Sequence, residues 1–142
     1  MNRRNFIGKT ARLGACSLIG VSLLTQSGCA SYPLVKAKPV NNLLKVDIAA
    51  FGEGKRLLVR TPDLEFDVFV HQFQSGQFRA TLLQCSHRNE PISVSDTQIY
   101  CPSHGSTFSL EGAVTKAPAT EPLKHYPVKL SDDGTSLLID IS

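Results

Sequence analysis

The sequence has no apolar run of the ~18–20 residues that a membrane-spanning helix needs. It has no internal repeat and no low-complexity tract. No basic run is interleaved with aromatics, so a nucleic-acid footprint is missing and no nucleic-acid partner is expected. At 142 residues there is no room for an electron-transfer module beside a separate catalytic domain. What is present fits one globular domain, with 42% hydrophobic and 19% charged residues. Four cysteines suggest two disulfides, and a net charge of +3 suggests acidic partners. Both suggestions depend on where those residues sit.

The first 28 residues hold no acidic residue but do hold Arg3, Arg4, Lys9 and Arg12. The remainder carries eleven basic residues against twelve acidic ones, so the bulk of the chain is near neutral. After Arg12 comes a short apolar, small-residue stretch, Leu13 to Leu24, and then Thr25-Gln26-Ser27-Gly28-Cys29. A basic head, a short apolar middle and a small-residue end make a secretory signal. The positive surplus therefore belongs to an address, and residues 1–29 are assigned to it.

Two details refine the address. Asn2-Arg3-Arg4-Asn5-Phe6-Ile7-Gly8-Lys9 resembles the twin-arginine motif of bacterial export signals. That resemblance implies passage of an already folded protein across the inner membrane to the periplasmic side. Such a route suits a cofactor inserted in the cytoplasm. Ser27-Gly28-Cys29 resembles the end of a bacterial lipoprotein signal, although Gln26 stands where Leu or a similar residue is usual. Lipidation of Cys29, cleavage near Ala30 and an uncleaved anchor all remain open. An acylated Cys29 would hold the domain at a membrane through its N-terminus. Cys16 lies in the apolar leader as a small apolar residue.

Residues 30–42, with Pro33, Pro39, Asn41 and Asn42, read as a tether or an initial loop. Residues 43–142 show no sustained helical period. Short β-rich runs cover 43–51, 55–60, 66–73, 77–84, 97–100, 107–110, 126–130 and 136–141, divided by Gly, Pro and polar turns. Gln74-Ser75-Gly76 is a hairpin signal. In 66–73 both faces carry apolar residues, so that strand is expected to be covered on both sides. The expectation is an all-β fold, a small antiparallel sandwich or barrel.

Cys85-Ser86-His87 and Cys101-Pro102-Ser103-His104 each pair a thiolate donor with an imidazole donor. Each pair follows a strand-like run and opens a loop. Two loops at one end of a sheet can clasp a metal between them. Zinc would take all four donors in one tetrahedron. An iron–sulfur cluster of the Rieske type would take the cysteines on one iron and the histidines on the other. A disulfide between Cys85 and Cys101 would leave the paired histidines unexplained.

The pattern C-x-H, thirteen residues, then C-P-x-H-G-S-x-F resembles a Rieske [2Fe–2S] protein. Ala117-Pro118-Ala119, Pro122-Leu123 and Tyr126-Pro127-Val128 are similar to that family's proline loop and returning strand. The resemblance implies an antiparallel sandwich or barrel with a two-loop cluster-binding subdomain over 43–142. It implies one [2Fe–2S] cluster, with Cys85 and Cys101 on a buried iron and His87 and His104 on an outer one. Neutral imidazoles leave such a cluster less negative and raise its potential. Surface imidazoles also give the electron an exit and make the potential sensitive to pH.

The departures from the family pattern are informative. Quinol-oxidising Rieske proteins carry an extra cysteine in each loop, joined as a disulfide; here those positions are Glu90 and Ser103. Ser106 matches a serine that donates toward the cluster sulfur, and Pro118 matches the proline loop. Phe108 stands where a tyrosine would donate, and it has no hydroxyl. A lost donor and a nearby carboxylate both lower the potential. The expectation is the lower part of the Rieske range, roughly −150 to +300 mV. His71 and His125, without partner cysteines, read as structural.

Three function classes follow. One is a carrier of single electrons between redox proteins. One is a Rieske subunit of a larger oxidoreductase, such as a quinol–cytochrome reductase or a molybdenum enzyme of the arsenite oxidase kind. One is a zinc-stabilised surface binding module. No catalytic residue is assigned, because an oxygenase would need a second, mononuclear iron site.

Overall fold

A computed structural model describes residues 31–142. The leader, with the twin-arginine stretch, Cys16 and Cys29, lies outside the described residues. The strands are β1 (Leu34–Lys36), β2 (Leu43–Asp47), β3 (Arg56–Arg60), β4 (Val68–Gln72), β5 (Phe78–Leu82) and β6 (Ser93–Val94). They continue as β7 (Ile99–Tyr100), β8 (Thr107–Phe108), β9 (Val114–Lys116), β10 (His125–Tyr126), β11 (Val128–Leu130) and β12 (Ser136–Asp140). The described residues hold one 3-10 turn, Ile48–Phe51, and no α-helix.

Three sheets result, in the orders β1-β3-β4-β5-β10, β11-β12-β2 and β6-β7-β8-β9. The first two face each other as a sandwich. β2 alternates in the manner of a half-buried strand, with Leu44 and Val46 inward and Leu43, Lys45 and Asp47 outward. Leu57, Val59, Val68, Val70, Ala80, Leu137 and Ile139 pack into the same core. The third sheet carries the ligand loops and has a core of its own: Phe69, Leu83, Cys85, Ile92, Ile99, Cys101, Phe108, Ala119 and Leu123.

β4 belongs to both cores. Val68 and Val70 face the sandwich, while Phe69 between them is fully buried in the second core. The all-β sandwich and the doubly covered strand are as the sequence suggested. The turn after β4 is also as expected: Gly76 sits at φ 82, and Phe73 N–H donates to Gln77 O at 2.8 Å.

The sequence reading missed β6 and β9, short strands outside every predicted run, and three further details differ. The run 43–51 is not one strand. It ends at Asp47 and tightens into the 3-10 turn, whose Phe51 is buried under the sandwich. Gly52 closes that turn at φ 58, with its N–H on Ala49 O. The tether reading of 30–42 also changes, because Leu34–Lys36 adds a strand parallel to β3, with Leu34 opposite Leu58. Just before β1, Tyr32 packs on Phe69, and its hydroxyl receives Arg56 Nη1 at 3.2 Å. The run 126–130 breaks at Pro127, so β10 pairs with β5 and β11 with β12.

Candidate metal centre

The two ligand loops are built alike. In the first, Cys85 N–H donates to Glu90 O at 2.8 Å, and Asn89 N–H donates back to Cys85 O at 2.9 Å. In the second, Cys101 N–H donates to Ser106 O at 2.8 Å, and Gly105 N–H donates back to Cys101 O at 3.0 Å. Each loop turns on a left-handed residue four positions after its cysteine, Asn89 at φ 51 and Gly105 at φ 78. Asn and Gly are the residues that tolerate that conformation best. Sequence reasoning did not assign these two turning roles. An Asn or Gly at the same offset in both loops was the available signal.

The loops bring all four predicted donors to one end of the molecule. Cys85 and Cys101 are free thiols, each about 1% exposed. Both pack in one small core. The His87 and His104 rings meet edge to face, with centroids 5.1 Å apart and planes at 85°. His104 is exposed and His87 half-buried.

The sulfurs sit in nests of backbone donors. Burial pushes the Cys85 thiol up, against N–H donation from His87 and Arg88, while its contact with Cys101 adds to the rise. Burial acts on Cys101 as well, but there the N–H groups of His104 and Ser103 outweigh it, helped by Cys85 and the Ser103 side chain. Cys101 is therefore held below its ordinary value. Donors aimed at sulfur favour thiolate, the form that binds metal.

The residues fit a two-iron cluster, which takes thiolates on one iron and imidazoles on the other. The donors form a thiol pair and an imidazole pair. His87 Nδ1 is buried with no hydrogen-bond partner, a costly state for an imidazole nitrogen unless something binds it.

Around the donors, Ser106 and Phe108 are fully buried. Ser106 Oγ accepts Ala119 N–H at 3.0 Å, and its own proton remains available to donate. Phe108 packs in the core that holds both cysteines. Pro118 lies on the exposed lip, joined to Ala117 by a cis peptide, and its neighbour Ala119 carries the burial. Glu90 is half-buried and supplies the carbonyl that accepts Cys85 N–H.

The remaining histidines stand apart from the four donors. His71 lies between Phe69 and Phe73, tilted against both rings. His125 meets Thr81 Oγ1 at 3.1 Å.

Fold and frame define an all-β protein with twin loops, each presenting a thiol and an imidazole. The profile of the Rieske [2Fe–2S] domain matches residues 42–127, and the chain belongs to that family. The cofactor of that domain is a [2Fe–2S] cluster.

One relative is the cytochrome b6-f complex iron-sulfur subunit of Chlorobaculum thiosulfatiphilum. It is 27% identical over 150 aligned positions, which cover 96% of this chain and 74% of the relative. Another is the 3-phenylpropionate/cinnamic acid dioxygenase ferredoxin subunit of Photorhabdus laumondii. It is 36% identical over 91 positions, covering 61% of this chain and 82% of the relative. Among solved structures, the plasma membrane Rieske protein PetC3 from Synechocystis PCC 6803 superposes with a TM-score of 0.55 at 28% identity. That match covers 66% of this chain and 93% of the other.

Proposed function

We propose that this chain is an exported one-electron carrier of the periplasmic side. In this reading Cys85 and Cys101 hold the inner iron and His87 and His104 the outer one. The cluster, when bound, takes up and gives back one electron. The chain does the rest. The backbone N–H groups of His87, Arg88, Ser103 and His104 stabilise the cysteine sulfurs. Phe108 and the core around it keep water from that side. The exposed His104 offers a partner the shortest approach.

The observation that carries the reading is the paired geometry: two buried free thiols in one core, and two imidazoles at the same end with ring centroids 5.1 Å apart. Residues 1–29 would supply the twin-arginine address, and Cys29 a lipid attachment. Residues 43–142 would be the working domain, with 30–42 leading into it.

A redox-protein partner is favoured by the character of the ligand end. Among the described residues, the large exposed apolar side chains are Leu34, Val40, Leu43, Tyr100 and Leu130. None lies on the two ligand loops or on 117–123. That end exposes Ser86, Arg88, Asn89, Ser103, Thr120 and Glu121 interleaved with the small apolar Pro102, Ala117, Pro118 and Pro122. A mixed surface of that kind suits a partner that comes and goes. The long alignment with a cytochrome b6-f subunit favours a second reading, in which the chain is a subunit of a larger oxidoreductase. Co-purification with a catalytic subunit from native membranes would favour that alternative.

An EPR-monitored redox titration of anaerobically reconstituted protein tests the main reading. It should give two irons and two acid-labile sulfides per chain and an anisotropic signal on reduction. The midpoint should fall in the lower part of the range of roughly −150 to +300 mV. Zinc without sulfide or signal would overturn the assignment in favour of a structural module. A midpoint near the top of the range would remove the role given to Phe108.

A further inference from the structure

The basic excess does not stop at the leader. Residues 1–46 contain no Asp or Glu, and their basic residues include Lys36, Lys38 and Lys45. Residues 47–142 contain all twelve acidic residues against eight basic ones. The chain is therefore positive almost to the end of β2 and negative beyond it.

The fold turns that division into a surface. β1 is the outermost strand of its sheet, with β3 as its neighbour. From Leu34 to Val40 burial alternates. Val35 and Ala37 pack on the sandwich core, while Leu34, Lys36, Lys38 and Val40 are exposed. After the turn, Leu44 and Val46 go inward, and Leu43 and Lys45 outward. Val40 and Leu43 exchange N–H to carbonyl bonds of 3.0 Å across that turn, with Asn41 at φ 52 and Asn42 at φ 62. Asparagine is at home in such a left-handed pair, so the turn holds Val40 and Leu43 in set positions.

Three of the five large apolar side chains exposed among the described residues lie on this edge: Leu34 at 44%, Val40 at 71% and Leu43 at 39%. The charged side chains interleaved with them are the three lysines. Asp67, Asp140 and Glu65 stand at the margin. Asp67 is held by Arg60 at 2.8 Å, Asp140 accepts Ser142 N–H at 3.0 Å, and Glu65 lines a cleft with Lys36 and Lys38.

We propose that the edge formed by residues 34–45 is a docking surface for an anionic phospholipid membrane. The proposal extends the exported, membrane-side reading above. Apolar side chains that stand out beside a turn enter the lipid interface, and lysines among them meet the phosphates. Isolated apolar groups alternating with cations suit a surface whose negative charge is continuous. The acidic remainder of the chain is repelled by that surface, which favours one orientation of the domain. Position agrees with charge. Leu34 is five residues past Cys29, so an anchor at that cysteine brings this edge to the membrane first.

The chain has no tryptophan, so an introduced one reports on its own site. In the full-length holoprotein, Val40→Trp should shift its emission to the blue on vesicles of phosphatidylcholine mixed with phosphatidylglycerol, and far less on phosphatidylcholine alone. Gln74→Trp marks the opposite end of the same sheet, beyond the Gln72 N–H bond to Lys55 O, and should not shift. Adding Lys36→Gln and Lys38→Gln to Val40→Trp should weaken docking about thirty-fold, the factor for two lysines at an anionic surface. Hydrogen exchange across 34–45 of the unsubstituted protein should slow on the mixed vesicles, which tests the edge without any tryptophan. Equal shifts at positions 40 and 74, equal shifts on both lipids, or no change in either readout would overturn the proposal. A shift that needs no lipid and grows with protein concentration would give the edge to a second copy of the chain, and would overturn it as well. Recovery of the chain from the cytoplasm with its leader intact would instead overturn the exported reading, and the vesicle comparison would still decide the docking.

Discussion

In the sandwich, β2, β3, β4, β5 and β12 are each five residues long, whereas no strand of the sheet that carries the ligand loops exceeds three. The sandwich core draws on apolar side chains from six strands and the 3-10 turn. The smaller core is built largely from loop residues and includes the two cysteines themselves. Ladder hydrogen bonding and hydrophobic burial suffice for the first region. Strands of two residues are too short to hold the second. It is held by a wall taken from the sandwich, by turns that close around each cysteine, and by the segment 117–123. The region with the least regular structure is therefore the one whose geometry must be set most closely.

The contrast breaks most completely at Phe69, which sits on a sandwich strand and fills the other core. Phe69→Ala should cost about 3–5 kcal/mol, read from chemical denaturation. It should weaken cluster retention as well as overall stability. A loss under about 1 kcal/mol would show that the two regions do not share that wall.

A smaller effect is expected at the seam between them. Gly112, at φ 87, lies in the hairpin turn before β9, and an added Cβ would come within 2.6 Å of His125 Cε1. Gly112→Ala should cost about 1–3 kcal/mol in the same assay, through backbone strain and that contact.

The smallest effect is the pH response of the same seam. Burial, with Arg79 acting in the same sense, holds His125 below its ordinary value against the opposing Glu111 carbonyl. A histidine depressed in the fold stabilises it while neutral. That contribution is present at pH above the ordinary value of about 6.5 and is lost as pH falls below it through the lower folded value. The melting temperature should fall between pH 7.5 and 5.5, and His125→Gln should fall less. An identical drop in both proteins would assign the sensitivity elsewhere. His71, depressed by burial and by Arg56, is the next group to test.

That Cys85, His87, Cys101 and His104 gather at one end of the fold was legible in the sequence, because short spacings and residue type together mark the two loops. The strands were legible wherever alternation ran for five residues, as in β2. They were not legible where long-range pairing decides. β1 is three residues of a proline-flanked segment and becomes a strand only because the edge of β3 is free to receive it. Ile48–Phe51 is as apolar as a strand, and only the sharp turn at Gly52 separates it from one. β6, with two residues, has no period to read. Ser106 was expected to face the cofactor, and its bond to Ala119 adds a tie to 117–123 that no local pattern encodes.

The shared strand sets where the chain can change length. Alternation along β4 sends Val68 and Val70 to one core and Phe69 to the other, so a single inserted residue would exchange the two sets. The turn Gln74-Ser75-Gly76 has no such bookkeeping and can lengthen. Insertions should therefore be accepted at that turn and rejected within Val68–Gln72, which makes β4 the fixed ruler against which both ligand loops are set.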